Sequence, residues 1–348
     1  MVTVLVVDDS AFMRKAVSTM LEKDPDIQVA GSARNGEECL QKIRELEPQV
    51  VTLDIEMPVM DGLTALRHIM MESPRPVLMV SSLTTEGAEA TMKAMELGAM
   101  DFIPKKLSKV SLDIVKIEDE LRSKVKALAK SKPRFAPARK KPKETWAPET
   151  KELIQGSLQR EIVGIGVSTG GPPAVQQIVS SLGRDFPGSI LIAQHMPGTF
   201  TKAFAKRLDQ SSSLQVKQAE NKDKLEKGLI FVAPGGMHLK LEGRSGRMYL
   251  EVSTDPPGYL YKPSASVLLN SLAERVGARG LGVILTGMGN DGLEGVRRLK
   301  ARDGRVLAQS EASCVVYGMP RAVIEQGLAD QILDIQDMAE GILAGMYK

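Results

Sequence analysis

Cysteine is nearly absent from this chain of 348 residues: there are two, Cys39 and Cys314. They lie far apart in sequence and in no metal-type spacing. That excludes a disulfide framework and suits a reducing compartment. Long apolar runs are missing as well; none approaches the ~18–20 residues of a membrane span. The opening stretch "MVTVLVVDDSAF" has no basic leader, and Asp8 and Asp9 interrupt its apolar run. It does not read as a signal peptide. An excess of one charge is also lacking. Lys and Arg total 46 against 43 Asp and Glu, a net +3, so the whole-chain balance points to no polyanionic partner. Histidine is scarce, at three residues, which shortens any list of candidate bases. The expectation is a cytoplasmic globular protein with no membrane insertion.

What is present is an ordinary core-forming composition, 43% hydrophobic and 26% charged. At roughly 150 residues per domain, the length predicts two domains. In the first part, "VTVLVV", "IQVAGSA", "QVVTLD", "PVLMVSS" and "DFI" read as strands. "AFMRKAVSTMLEKD", "GEECLQKIREL", "GLTALRHIMME" and "EGAEATMKAMELG" read as helices between them. A last helix repeats Ile114, Ile117, Leu121, Val125 and Leu128 at three or four residues. Apolar strands alternating with helices predict a parallel sheet covered on both faces. From Arg122 to Lys143 there are ten Lys or Arg and no acid, and prolines then replace periodicity, which marks a linker. Beyond it "IVGIGV", "SILIAQ", "LIFVAP", "LGVILTG" and "RVLAQ" read as strands. Helices are expected around Pro172–Leu182, Ser264–Val276 and Gly292–Lys300, and "HLKLEGRSGRMYLEV" as a hairpin turning at "GRSG". The second domain is therefore α/β too, with an antiparallel excursion.

"VLVVDDS" puts Asp8 and Asp9 at the end of the first strand, and "VVTLDIEMPVMDG" puts Asp54 at the end of the third. Carboxyl ends of strands share one edge of a doubly wound sheet, so the three acids converge. Three anions so close repel unless a divalent cation joins them, and Mg²⁺ is the hard, oxygen-seeking choice. Ser81 ends the fourth strand and Lys105 follows the fifth. A hydroxyl, an ammonium and a metal around one carboxylate suit phosphoryl transfer to it. Helix capping is the plainer use of a lone strand-end acid. The full set resembles the receiver domain of bacterial response regulators. The resemblance implies that Asp54 is phosphorylated and that Asp8, Asp9 and Asp54, with the Glu56 carbonyl, hold Mg²⁺. It also implies that Ser81 and Lys105 sense the phosphate and that Phe102 fills an aromatic switch position. Receivers usually carry Lys-Pro, whereas this chain has Pro104-Lys105-Lys106. Either lysine could be the sensor; spacing from Gly98-Ala99 favours Lys105.

The second domain opens on a glycine-rich turn, "GIGVSTGGPPAV" from Gly164 to Val175. As a phosphate cradle it is poor: the spacing misses the dinucleotide fingerprint, no Lys follows as in a P-loop, and the next strand ends in Gln194-His195 rather than an acid. As a nucleophile turn it fits better, because Gly166-Val167-Ser168-Thr169-Gly170 is G-x-S-x-G. Ser168 would sit at a helix N-terminus, where backbone N–H groups favour an oxyanion. A serine hydroxyl needs a base. His195 directly follows a strand, and Asp291, in "VILTGMGNDG", lies just past another, so both reach the edge that carries Ser168. His238 also follows a strand and Asp255 is a second candidate acid. Cys314, inside an apolar run, is a less suitable nucleophile, and His68 lies on a first-domain helix.

"GVSTGGPPA", "AQHMPGTFT", "VAPGGMH", "ILTGMGNDG" and "ASCVVYGMPRAV", in that order after a receiver, resemble the chemotaxis protein-glutamate methylesterase family, CheB. The resemblance spans nearly the whole chain outside the linker. It implies two doubly wound, mainly parallel-sheet α/β domains: a flavodoxin-like receiver over residues 1–128, a basic Pro-rich linker over 129–158, and a Rossmann-like methylesterase domain over 159–348. Ser168, His195 and Asp291 would be the triad, Thr169 would border the site, and the Met288 N–H would help form the oxyanion hole. The implied activity is hydrolysis of γ-glutamyl methyl esters on chemoreceptors, with glutamine deamidation as a related reaction and no cofactor for the esterase chemistry. A chemotaxis histidine kinase would be the phosphodonor, with the unphosphorylated receiver covering the catalytic crevice. Two other classes fit less well. A transcriptional regulator would carry a compact helix-turn-helix, and the second domain is too long and strand-rich for that, which argues against a nucleic-acid partner. A silent scaffold would tolerate loss of Ser168.

Overall fold

The computed structural model of the chain describes residues 1–105, 111–131, 157–244 and 246–347, without the side chains of 111–116. Two compact units are present, one within Met1–Ala138 and one within Arg139–Lys348. Most of the segment read as a linker lies outside the described residues, as does Lys106; of the last helix's repeat, so does the Ile114 side chain.

In the first unit the apolar runs form β1 (Val2–Val7), β2 (Ile27–Ala33), β3 (Val50–Asp54), β4 (Val77–Ser81) and β5 (Asp101–Pro104). Helices α1 (Ala11–Glu22), α2 (Gly36–Leu46), α3 (Gly62–Glu72), α4 (Thr85–Glu96) and α5 (Ser111–Ala129) join or follow them. The strand order is β2-β1-β3-β4-β5 and every pairing is parallel. That is the flavodoxin-like 2-1-3-4-5 arrangement. β3 and β4 are buried at every position, as the sheet's two covered faces require. Helix starts follow local chemistry. Ser10, Asn35, Asp61 and Thr84 each accept a backbone N–H of the first turn that would otherwise lack a partner. Leu121, Val125 and Leu128 pin α5 to the sheet, and Lys124 reaches the Asp101 carboxylate at 3.0 Å.

The second unit comprises β6 (Ile162–Val167), α6 (Gly171–Ser181), β7 (Ser189–Gln194), α7 (Gly198–Ser211), β8 (Gln215–Gln218) and β9 (Leu229–Val232). A hairpin of β10 (His238–Arg244) and β11 (Arg247–Ser253) follows, then α8 (Ala265–Arg275) and β12 (Gly280–Ile284). The chain closes with α9 (Leu293–Lys300), β13 (Arg305–Gln309), α10 (Met319–Ile324), β14 (Gln331–Leu333) and α11 (Met338–Tyr347). Seven strands pair in parallel in the order β14-β13-β12-β6-β7-β9-β8. The chain leaves β6 toward β7 on one side and returns to β12 on the other, so the switch point lies at β6. The sequence reading did not anticipate β8, β14, α7, α10 or α11. Both strands are short sheet edges: β8 buries only Val216, and β14 buries no residue.

The glycines of β6 serve packing. A Cβ on Gly164 would lie 2.9 Å from the tips of Leu269 and Leu272, and one on Gly166 would lie 2.5 Å from the Ala265 Cβ. Gly164 and Gly166 share a face of β6. They let α8 lie directly on the strand, with its N-terminal turn nearest the strand's carboxyl end. Leu268, Leu269 and Leu272 of α8 then join Leu239, Leu241 and Leu250 of the hairpin in one core cluster. Burial of each such side chain contributes about 1.5–3 kcal/mol.

Candidate functional site

Ser168 and His195 each follow the last residue of a strand. Val167 and Gln194 are partners in the β6–β7 register, and the His195 N–H donates to the Val167 carbonyl at 3.1 Å. Neighbouring strands run roughly 4.8 Å apart, so the two side chains issue side by side from the switch-point edge. Gln194 Nε2 donates to the Ser168 carbonyl at 3.0 Å and ties the two strand ends together. Gly170, at φ +74°, turns the chain into α6 where a side chain would strike Val315.

Asp291 arrives from the loop after β12. His195 Nε2 lies 2.8 Å from Asp291 Oδ2. The same carboxylate accepts from the N-terminus of α8: the Ala265 N–H at 2.7 Å, the Ser266 N–H at 3.0 Å and the Ser264 hydroxyl at 2.8 Å. The Gly292 N–H adds a fourth donor at 2.9 Å. Burial alone would raise the Asp291 carboxyl, but the bonds from His195, Ser266 and Ser264 outweigh it and hold the group well below the usual carboxylate range. Asp291 is thus an anion that only accepts. His195 is itself buried, its ring stacked on Tyr261 with centroids 4.1 Å apart and planes 11° apart. Its second nitrogen, Nδ1, is buried without a partner.

The remaining motifs assemble around this pair. The Thr286 hydroxyl donates to the Thr169 carbonyl at 2.9 Å and accepts the N–H groups of Val315 and Val316, which binds "ASCVVYGMP" to the serine turn. The Ser168 N–H donates to the Thr286 carbonyl at 3.0 Å, so it is engaged. A Cβ on Gly287 would sit 2.8 Å from the Ser168 Cβ, which places Met288 beside the serine. Among the described residues, no acceptor takes the N–H of Thr169 or Met288. The Ser168 hydroxyl likewise makes no hydrogen bond to a described residue. The structure therefore joins His195 to Asp291 and leaves the link between Ser168 and His195 open, as unliganded catalytic sites often do.

None of the rival residues hydrogen-bonds to Asp291 among the described residues. His238 is fully buried at the start of β10, edge-on to Tyr259 at 5.7 Å, and burial with Lys262 nearby pushes its imidazole down. Asp255 is exposed. Cys314 is half-buried, and His68 pairs with Glu72 on the surface of α3. The sequence reading missed Ser264, Ser266 and Tyr261. Ser264 does leave a signal, as the N-cap of α8. Tyr261 leaves none.

In the first unit, Asp8, Asp9 and Asp54 place carboxylate oxygens within 4.8 Å of one another. Lys105 Nζ lies 2.7 Å from Asp54 and 2.9 Å from Asp8. Burial pushes the Asp54 carboxyl up to about 6, against the opposing pull of Lys105. One ammonium against three carboxylates leaves excess negative charge on oxygen donors, which fits a hard divalent cation such as Mg²⁺. A small cleft here, about 150 Å³, is lined by Asp9, Asp54, Glu56, Ser82 and Lys105. Ser81 is buried and does not line the cleft, its hydroxyl donating to the Gly87 carbonyl at 3.1 Å. Phe102 is buried.

Fold and sites together define a receiver domain followed by a doubly wound α/β domain with an acid–imidazole pair at its switch point. The family model for CheB methylesterase matches residues 163–342, and that for the response regulator receiver domain matches residues 4–115. The chain belongs to the CheB methylesterase family. It is 58% identical, over the full length of both chains, to a protein-glutamate methylesterase/protein-glutamine glutaminase of Nitratidesulfovibrio vulgaris. A protein of the same name in Lawsonia intracellularis is 49% identical, again at full length. The crystal structure of the Thermotoga maritima CheB methylesterase catalytic domain aligns with a TM-score of 0.52 at 38% identity, covering 53% of this chain and 98% of that one. Among the described residues, no helix is long and apolar enough to cross a membrane.

Proposed function

We propose that this protein is a serine esterase that hydrolyses γ-glutamyl methyl esters of chemoreceptors and releases methanol, under control of phosphorylation at Asp54. The observation that carries this reading is the 2.8 Å bond from His195 to a four-times-anchored Asp291, beside a serine issuing from the adjacent strand end. As Ser168 Oγ bonds to the ester carbonyl carbon, its proton passes to His195. The imidazolium, stabilised by Asp291, returns that proton to the departing methoxide, which leaves as methanol. Water then attacks the acyl-enzyme, gives a proton to His195, and restores the serine hydroxyl as the glutamate carboxylate departs. The oxyanion of each tetrahedral intermediate is received by the N–H groups of Met288 and Thr169, each such donor being worth about 10²–10³ in kcat.

The names of the relatives support a second acyl substrate, the glutamine side chain, from which ammonia leaves in place of methanol. In the receiver, Asp54 accepts a phosphoryl group from a chemotaxis histidine kinase. Asp8, Asp9, Asp54 and the Glu56 carbonyl would hold Mg²⁺, which would supply positive charge to offset that on the phosphoryl oxygens. Lys105 neutralises the same oxygens, and Ser81 turns from Gly87 to meet them. Residues 1–128 are assigned to the receiver, 129–158 to the linker and 159–348 to the esterase, in the cytoplasm where kinase and receptor tails meet. The deciding experiment is methanol release from methylated receptor membranes by wild type and Ser168→Ala. A loss on the order of 10⁴-fold or more is expected. Comparable rates from the two proteins would remove Ser168 as nucleophile.

A further inference from the structure

His195 is attached to Asp291 by Nε2, not Nδ1. Asp291 has no proton to give. Its Oδ2 already accepts the Ala265 N–H, and its Oδ1 accepts Ser264, Ser266 and Gly292. A neutral imidazole facing such an acceptor must place its single N–H there. The ring's lone pair is then on Nδ1, the nitrogen that is buried and without a partner. Rotating the ring by half a turn would exchange the two edges, but it must pass through a plane perpendicular to the present one. Tyr261, stacked at 4.1 Å and 11°, stands in that path. Tyr261 is itself held by its loop: the Lys262 carbonyl accepts the Gly236 N–H at 2.9 Å, and Lys262 Nζ donates to the Thr254 carbonyl at 2.9 Å.

We propose that Tyr261 is a positioning residue that locks His195 in the Nε2–H form, so that Nδ1 is the atom exchanging protons with Ser168. The usual serine triad holds its acid at Nδ1 and works through Nε2; here the imidazole runs the other way round. Tyr261 acts through His195, on whose ring it is stacked. The inference rests on the esterase reading for its kinetic consequence, but not for the tautomer.

The test has two independent arms on the full-length chain. Only three histidines are present, so ¹⁵N-histidine NMR with His195→Gln as the assignment control resolves the ring at alkaline pH. The expected spectrum shows a protonated Nε2 and an unprotonated Nδ1. A protonated Nδ1 in the wild type overturns the proposal. In the kinetic arm, Tyr261→Leu is expected to lower kcat for methanol release by about 10–10², the scale of a misplaced catalytic group, with little change in KM. Both tautomers should appear in its spectrum, while Tyr261→Phe retains wild-type behaviour. If Leu does not fold, Tyr261→Met preserves the bulk without the ring. A ringless variant with wild-type kcat and a single Nε2–H tautomer removes Tyr261 from its role. Wild type that releases no methanol would instead overturn the esterase reading, and the tautomer measurement would still stand.

Discussion

Replacing Gly166 by Ala should disable the site from its far side. The added Cβ would lie 2.5 Å from the Ala265 Cβ and 3.2 Å from Ile284 Cδ1. Carbon atoms pack at roughly 3.5 Å or more, so something must yield by about 1 Å. Ala265 has no side-chain torsion with which to move aside. The N-terminal turn of α8 must therefore lift from β6, and it carries three of the four donors that seat Asp291. Overpacking of this kind costs about 1–3 kcal/mol, which leaves most domains folded. A displacement of 1 Å at a catalytic constellation costs on the order of 10²-fold in rate. Gly164→Ala supplies the comparison. Its Cβ would meet the flexible tips of Leu269 and Leu272 at 2.9 Å, further along the same helix, and those tips can rotate. Urea unfolding and methanol release measured on both variants separate stability from activity. The expected pattern is destabilisation in both and a large fall in kcat only in Gly166→Ala. Wild-type kcat in Gly166→Ala, or equal losses in the two, would refute the link from glycine to helix to acid.

Asp291→Asn is expected to lower kcat on the order of 10⁴-fold, because an amide no longer selects the tautomer. It should also change the pH dependence of stability. The folded carboxyl lies below its ordinary value of 3.8, so its contribution is complete above that value and fades as pH falls toward the folded one. Urea unfolding should show the gap between wild type and variant narrowing below about pH 4, and a constant gap would contradict the assignment. Val59 holds φ at +68° while 77% exposed, a left-handed conformation that a β-branched residue resists. Val59→Gly should gain about 1 kcal/mol, read from the urea midpoint; no gain would mean that the loop carries no strain there. Asp54→Asn should abolish stimulation of methanol release by a small-molecule phosphodonor while sparing the basal rate. Chelating Mg²⁺ from the wild type should do the same, and stimulation that survives both would sever Asp54 from control.

Much of this was legible because apolar runs and strand ends are written locally. Four of the five strands of the first unit, all but β2, are runs of mostly buried residues, and Asp8, Asp54 and Lys105 stand where those runs stop. The strands missed, β8 and β14, lie at sheet edges, where one partner and little burial suffice, so "QVKQ" shows no apolar run. Helix α7 does carry a periodic face of Phe200, Phe204 and Leu208, but "GTFT" before it resembles a loop. Between His195 and His238 the spacing of the strands favoured His195 only weakly, since both follow strands. What separates them is that β10 begins at His238 and turns its ring under Tyr259, a tertiary fact. The glycines of "GIGV" were visible, but their task was not, because it depends on a helix about a hundred residues later in the chain.

The anchoring of Asp291 has one more consequence. Four of its five hydrogen bonds come from groups other than His195. Cutting residue 195 back to glycine would leave a flat slot, with a seated anion at one edge and a phenol face along one side. That slot has the outline of a free azole. Added imidazole should therefore restore part of the lost turnover in His195→Gly, with a saturable dose response that 1-methylimidazole, which when neutral has no N–H to donate to Asp291, would not reproduce.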